Sequence, residues 1–209
     1  MPTRSVAQPP TVTTAKKSPP PEQTSRPPVA SPTVSPAAAR ARKKQVTSQS
    51  AARKGVLGLG DSVLLGSKPL FAAHGWRVDA QVSRQFSKGV SVLRRYARSR
   101  ATPRNVVVAL GTNGTVSPTD CRAMVRAAGP SRRVFFVNNH AARSWTAGNN
   151  RALRACAASF SNNRAIVVDW ATSAAAHPGW FGADGIHPNA SGRRQYMGLI
   201  ESAVARWGI

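Results

Sequence analysis

Acidic residues are scarce in this sequence. Its 209 residues include 7 Asp and Glu against 30 Lys and Arg, for a net charge of +23. A positive electrostatic field of this strength attracts polyanions such as nucleic acid, anionic lipid surfaces or anionic cell-wall polymers, without selecting among them.

Apolar runs of about 18 residues are missing too, so no membrane-spanning helix is predicted. No apolar segment of the signal-peptide kind follows Met1, and no signal peptide is expected within this sequence.

Cysteine is also rare, with only Cys121 and Cys156. They have neither CxxC spacing nor a neighbouring pair of histidines, so no metal site is predicted. A disulfide and two buried thiols both remain open. Gly58-Leu59-Gly60 does not begin a dinucleotide fingerprint, because Val63 stands where the third glycine would be and no P-loop lysine follows. We therefore expect no cofactor.

Large apolar residues are almost missing from residues 1–54. This stretch holds 10 of the 16 prolines and no aromatic residue, and its ten Lys and Arg face Glu22 alone. Such a composition cannot bury enough surface to offset its ordering entropy. We predict a disordered, basic, Pro/Thr/Ala-rich tail or linker over 1–54 and one folded domain over 55–209. Without aromatic residues the tail lacks the stacking platforms of single-strand nucleic-acid binders.

From Gly55 onward, short β-branched runs alternate with helical patterns. Buried strands with helices between them predict a three-layer α/β/α sandwich around a mostly parallel, five-stranded sheet. Strands are expected at 56–59, 76–82, 105–110, 133–138 and 166–168, and in the second strand Val78, Ala80 and Val82 should share one face. Helices are expected at 63–73, with Pro69 disturbing its middle, and at 87–97, 118–128, about 150–159 and 191–207. For the helix over 118–128, Ser117 suits the cap and Pro118 the first turn. In such folds the site lies at the carboxyl ends of the strands.

Two motifs at that edge carry the residues of nucleophilic catalysis. Ser62 follows the first strand in Gly60-Asp61-Ser62, at a helix start that favours a developing anion. Asp184 and His187 are three positions apart before the last helix, so the carboxylate can orient one ring nitrogen while the other activates a serine. Singly each signal is weak, since Ser62 could merely cap a helix.

Together these motifs resemble the SGNH/GDSL hydrolase family, which combines a Gly-Asp-Ser block, a Gly-x-Asn block after the third strand and Asp-x-x-His near the end. Here they are Gly60-Asp61-Ser62, Gly111-Thr112-Asn113 and Asp184-Gly185-Ile186-His187. The resemblance spans Gly55 to Ile209 and implies a flavodoxin-like SGNH fold. The subgroup most similar is the extracellular SGNH domain of peptidoglycan O-acetyltransferases, through the stretches 60–66, 79–85, 109–114, 168–170 and 184–188.

The resemblance also implies an oxyanion hole made by the backbone N–H groups of Ser62 and Ser83 and the side chain of Asn113. Ser83 stands where the family usually has glycine, so the hole is expected to have an altered shape; Gly89 is the alternative donor. For Asn113 the competing interpretation is a turn residue in Gly-Thr-Asn-Gly. Asp61 is assigned to hydrogen bonding within its loop.

The function implied is that of a serine esterase or O-acyltransferase that uses Ser62, Asp184 and His187 on acetyl esters of cell-wall glycan or on a small ester. An acyltransferase of this subgroup implies a membrane acyl-donor protein as partner and an extracellular or cell-surface location. The basic tail could bind anionic wall polymer. A non-catalytic basic module that binds wall polymer or nucleic acid is the alternative.

Five further side chains near the predicted edge are aromatic or imidazole groups. His140 and Trp145 are candidates for a substrate groove, and Trp170, Trp180 and Phe181 flank the loop of Asp184 and His187. Buried packing is the competing interpretation for each. His74 and His177 are expected to be structural or surface residues.

Overall fold

The structure is a computed structural model that describes residues 55–209 and the isolated positions Ser35, Ala37 and Arg40. The predicted disordered tail over 1–54 therefore lies, apart from those three positions, outside the described residues. The domain boundary at Gly55 remains a prediction.

Five parallel strands form one sheet in the order β2-β1-β3-β4-β5. The strands are β1 (Val56–Gly60), β2 (Arg77–Ala80), β3 (Asn105–Ala109), β4 (Arg133–Val137) and β5 (Ala165–Val168). Central strands β1 and β3 are buried along their whole length, as expected of strands covered on both faces. The predicted three-layer α/β/α architecture is confirmed.

Helices cover the two faces of this sheet. They are α1 (Ser62–Gly66), α2 (Lys68–Ala73), α3 (Phe86–Arg98), α4 (Pro118–Ala128), α5 (Thr146–Ala158), α6 (Trp170–Ala175) and α7 (Ala190–Trp207), with a 3-10 turn at Pro178–Trp180. Val106 and Val108 point to the face under α3, α4 and α5, whereas Val107 points to the face under α1, α2, α6 and α7. The alternation along one strand thus builds two hydrophobic cores.

The predicted single helix over 63–73 is wrong. The chain forms α1 and α2 instead, interrupted at Ser67, and Pro69 lies in the first turn of α2. Proline has no N–H to donate and clashes with the preceding turn, so it starts a new helix there instead of continuing the old one.

Strand β2 is shorter than predicted and ends at Ala80. Val78 and Ala80 face the core, but Val82, expected on the same face, is 61% exposed. The chain turns after Ala80, where the N–H of Arg84 donates to the carbonyl of Gln81, so the strand alternation no longer applies to Val82.

Cys121 and Cys156 form a disulfide between α4 and α5, with their Cα atoms 6.3 Å apart. Of the two alternatives left open by the sequence, the structure has the disulfide. The helix carrying Cys121 begins at Pro118, with the Ser117 side chain accepting the N–H of Asp120, as predicted.

Candidate active site

Ser62 is the first residue of α1, directly after β1 at the carboxyl edge of the sheet. Asp61 caps this helix, because its carboxylate accepts the N–H of Val63 at 3.0 Å. The cap orients the free N–H groups at the start of α1 toward the edge, where they favour negative charge. The sequence folds here into the strand-to-helix turn that a serine nucleophile needs.

A continuous hydrogen-bond relay joins Ser62 to His187 and Asp184. The Nε2 atom of His187 lies 2.8 Å from Ser62 Oγ, and its Nδ1 atom lies 2.5 Å from Asp184 Oδ2. A carboxylate only accepts, so Nδ1 carries a hydrogen and Nε2 is left to accept the hydroxyl hydrogen of Ser62. The three residues predicted from two distant motifs meet in the geometry of a nucleophile, its base and the base's orienting acid.

Asp184 is held in its ionised form. The hydrogen bond from His187 lowers its pKa well below the usual range, and the N–H groups of His187 and Ile186, 3.0 and 2.9 Å from Oδ1, lower it further. Asp184 and His187 side chains are 49% and 48% exposed, so solvent reaches both. The carboxylate thus orients the imidazole across the neutral pH range.

The loop that carries the relay is fixed to the start of α7. Asn189 caps α7 by accepting the N–H groups of Ser191 and Gly192, and its amide donates to the carbonyls of Gly179 and Phe181. A side chain at Gly192 would approach the carbonyl oxygen of Trp180 to 2.1 Å, so only glycine permits this contact. His187 is therefore positioned by rigid elements on both sides.

Asn113 lies opposite the nucleophile turn. Its Nδ2 atom donates to Asp61 Oδ2 at 3.2 Å, which uses one of its two N–H groups. Asp61 is 0% exposed, and this burial raises its pKa despite opposing hydrogen bonds, that from Val63 first among them. The sequence interpretation of Asp61 as a local loop residue is thus too narrow, since it also anchors Asn113 from a distant segment.

Ser83 has a left-handed backbone, with φ of 59°. It lines a cavity of about 330 Å³ together with Ser62, Asn113 and His187. Glycine adopts the left-handed region at little cost, which gives a physical reason for the glycine that SGNH/GDSL hydrolases usually have at this position. Gly89 lies elsewhere, within α3, where an added Cβ would come 2.3 Å from Leu110 Cδ1.

Further residues complete the walls of this cavity. Trp145 contributes to it, as expected of a groove residue, and so do four residues that sequence reasoning did not select: Gln85, Thr112, Arg143 and Ile186. His140 instead stacks on Phe181 at 4.8 Å, and burial lowers its pKa. Trp170 is buried and stacks on Trp180.

Two buried asparagines brace the loops around the cavity. Asn149 accepts the N–H of Val116 at 2.7 Å and donates to the carbonyls of Gly111 and Gly114, so it closes the loop that carries Asn113. Asn150 exchanges two hydrogen bonds of 2.8 Å with the backbone of Asn139. Sequence reasoning missed both, because an asparagine pair inside a helix carries no signal of its distant partners.

The other histidines do not enter the site. His74 contacts Glu201 at 3.3 Å, and His177 stacks on Trp180 at 3.9 Å.

Among the residues described, no group of three potential ligands could hold a metal ion. No helix within that same part of the chain has the length and apolarity to cross a membrane.

Similar sequences were found among peptidoglycan O-acetyltransferases. The chain is 29% identical over 170 residues to YrhL of Bacillus subtilis, named as a peptidoglycan O-acetyltransferase, and the match covers 78% of this chain and 26% of that protein. The chain thus spans about a quarter of the length of the curated relatives it matches. No family model matches the sequence.

Solved structures share the fold. The C-terminal catalytic domain of the Streptococcus pneumoniae peptidoglycan O-acetyltransferase A superposes with a TM-score of 0.65 at 22% identity, over 73% of this chain and 93% of that one. A GDSL-like lipase from Bacteroides thetaiotaomicron gives 0.57 at 17% identity, over 78% and 97%. The resemblance drawn from the motifs is confirmed: the chain has the SGNH/GDSL hydrolase fold, and its sequence is similar to peptidoglycan O-acetyltransferases.

Proposed function

We propose that this protein, which has the SGNH/GDSL hydrolase fold, is a serine esterase or O-acyltransferase acting on acetyl esters of cell-wall glycan. The observation that carries the proposal is the relay from Asp184 through His187 to Ser62, with distances of 2.5 and 2.8 Å. A serine hydroxyl is a poor nucleophile unless a positioned base accepts its proton. The relay supplies that base and its orienting acid.

In the first step, Ser62 Oγ attacks the ester carbonyl carbon while His187 Nε2 accepts the hydroxyl proton. The carbonyl π electrons move to oxygen, and the resulting oxyanion is held by the N–H groups of Ser62 and Ser83 and by the second N–H of Asn113. Collapse of this intermediate breaks the bond to the alcohol, which takes the proton from His187. The acyl group remains on Ser62.

The second step repeats the sequence with another nucleophile. Water attacking the acyl-serine gives hydrolysis, whereas a glycan hydroxyl gives transfer; in both cases His187 accepts the proton of the attacking oxygen and returns it to Ser62. Similarity to peptidoglycan O-acetyltransferases supports glycan as the acceptor. Because the chain spans about a quarter of those relatives, the acyl donor would be a membrane protein or a further segment.

We also place the protein outside the cell or at its surface, where cell-wall glycan is accessible. The tail over 1–54, with ten Lys and Arg and one acid, would bind anionic wall polymer through charge alone. Binding by the tail should therefore weaken steeply between low and physiological salt.

Hydrolysis of a chromogenic acetyl ester by the full chain tests the enzyme proposal, with Ser62→Ala and His187→Ala as controls. We expect activity in the parent protein and its loss in both variants. Parent activity no greater than that of Ser62→Ala would contradict the proposal. Adding glycan oligomers and measuring acetylated product by mass spectrometry then separates transfer from hydrolysis.

A non-catalytic binding module is the second candidate, favoured by the twenty Lys and Arg against six acids within 55–209. The same assay decides between the two, because a module that binds anionic wall polymer or nucleic acid would show no ester hydrolysis above the Ser62→Ala background.

A further inference from the structure

A second cavity adjoins the active-site cavity. It measures about 610 Å³ and lies along α3, where Lys88, Ser91 and Arg95 contribute to its wall. Ser83 and Gln85 line both cavities. The two cavities therefore adjoin at Ser83 and Gln85, and we call them together the channel, with Ser62 in its first part and the basic face of α3 in its second.

The cations of this second cavity are not neutralised. Lys88 and Arg95 are exposed, and in the part of the chain that the structure describes neither side chain has a hydrogen bond or ion pair. Arg84, which also lines the cavity, is paired with Asp79 at 2.7 Å. A cleft lined by charge of one sign concentrates ligands of the opposite sign.

The acids of the described domain do not compensate this charge. No Asp or Glu of this domain lines either cavity, and Asp79, Asp184 and Glu201 contact Arg84, His187 and His74. Arg143, on the wall of the first cavity, likewise has no ion pair among the described residues. The whole channel is thus cationic.

Its lining also indicates what kind of polyanion fits. Beside the cations, the second cavity presents the amides of Gln81 and Gln85 and the hydroxyl of Ser91, which match the hydroxyl groups of sugars. No aromatic side chain lines it, so the stacking surfaces used by single-stranded nucleic acids are missing from this cavity. These groups favour a glycan over a nucleic acid.

We infer that the cavity along α3 is a subsite for an anionic glycan, which places carboxylate or phosphate groups on Lys88 and Arg95 while an acylated sugar lies at Ser62. This inference rests on the proposed function for the position of the reacting sugar. The subsite itself is a binding property, and it can be tested without any turnover.

Titration calorimetry on the full chain tests the subsite with oligogalacturonate as the carboxylate probe, poly(glycerol phosphate) as the phosphate probe and neutral xylo-oligosaccharide as the uncharged probe. The variant is Lys88→Gln with Arg95→Gln. The control is Arg122→Gln with Arg126→Gln, an equal charge change on the exposed surface of α4. The basic tail is the same in all three proteins, so its contribution cancels.

We expect the Kd of at least one charged probe to rise roughly 2- to 30-fold in the Lys88/Arg95 variant, as for two exposed ion pairs. The charged probe that responds identifies carboxylate or phosphate as the ligand group. The Kd of the same charged probe should rise less in the Arg122/Arg126 control. The Kd of the neutral probe should also rise less in the Lys88/Arg95 variant. Equal weakening in both variants, or a larger rise in the Kd of an oligodeoxynucleotide than of either charged probe in the Lys88/Arg95 variant, would overturn the inference.

Continuity with the site is tested by inhibition of chromogenic ester hydrolysis. The charged probe should inhibit competitively, and its inhibition constant should rise in the Lys88/Arg95 variant while it stays close to the parent value in the Arg122/Arg126 control. Binding without competition would place the subsite outside the channel and contradict the inference. If the parent protein hydrolyses no ester, the proposed function fails, and the calorimetry still decides on the subsite.

Discussion

Replacing Ser83 by glycine should leave the protein as stable as before or more stable. A non-glycine residue in the left-handed region costs roughly 1–2 kcal/mol, and Ser83 has φ of 59°. Glycine removes that cost but loses more backbone freedom on folding, by about 0.5–1 kcal/mol. The Ser83 side chain forms no hydrogen bond in the described part of the chain, so nothing else is lost.

Subtracting the second cost from the first, we expect Ser83→Gly to raise the free energy of unfolding by about 0–1.5 kcal/mol. For a domain of this size that corresponds to a Tm higher by about 0–6 °C. Thermal and urea unfolding measure it directly. The matched control is Ser202→Gly on the exposed surface of α7. There the backbone is helical, so the same change should lower stability by about 0.5 kcal/mol.

Activity provides a second and independent measurement on the same variant. The proposed oxyanion donor is the backbone N–H of residue 83, which glycine retains. The kcat of Ser83→Gly should therefore stay within about threefold of the parent, far from the roughly 100-fold or larger loss that removal of such a donor causes. If Ser83→Gly destabilised the protein as much as Ser202→Gly, the strain argument would be wrong; a large fall in kcat would instead implicate the serine hydroxyl.

Four other changes test the site and the scaffold. Asn113→Ala should lower kcat by roughly 100- to 1,000-fold with little change in KM, because the oxyanion loses its side-chain donor. A kcat within about threefold of the parent in steady-state kinetics would contradict the role of Asn113 as an oxyanion donor. Asp184→Asn should lower kcat by roughly 100- to 10,000-fold, because the amide turns its N–H groups to the imidazole and leaves the wrong nitrogen protonated. Cys121→Ser with Cys156→Ser frees a loop with a sequence separation of 35 and should lower the free energy of unfolding by about 3–4 kcal/mol while activity at low temperature persists. Burial raises the pKa of Asp61, so the free energy of unfolding of the parent should fall as pH rises above about 4 and through the raised pKa. Urea unfolding at a series of pH values measures this fall, which should be absent in Asp61→Asn.

Much of the fold was predictable because its local and tertiary signals agree. Helix α4 begins and ends as predicted, and Ser117 and Pro118 mark its start. The errors lie where tertiary structure overrides pattern. Val82 continues an apolar alternation, yet the chain has already left the sheet, and only the turn at 81–84 explains why.

Within the site, the predictable part was the part encoded in short motifs. Ser62, Asp184 and His187 stand out by residue type and spacing, and the fold then brings them together. The support for Asn113 was not predictable in this way, because it depends on Asn149, which lies 33 to 38 positions from the residues it bonds in the same loop. Arg143 was missed because an isolated arginine in a basic chain carries no signal at all.

The buried carboxylate of Asp61 connects the two halves of the proposed site. One oxygen fixes the turn that presents Ser62, and the other accepts a hydrogen bond from Asn113. An amide in place of this carboxylate could serve one of these donors but would oppose the other with an N–H group. A neutral, well-packed residue would be the more stable choice at a position with 0% exposure. The cost of burying an acid here is explained if the carboxylate holds Ser62, the proposed nucleophile, and Asn113, the proposed oxyanion donor, at a fixed separation.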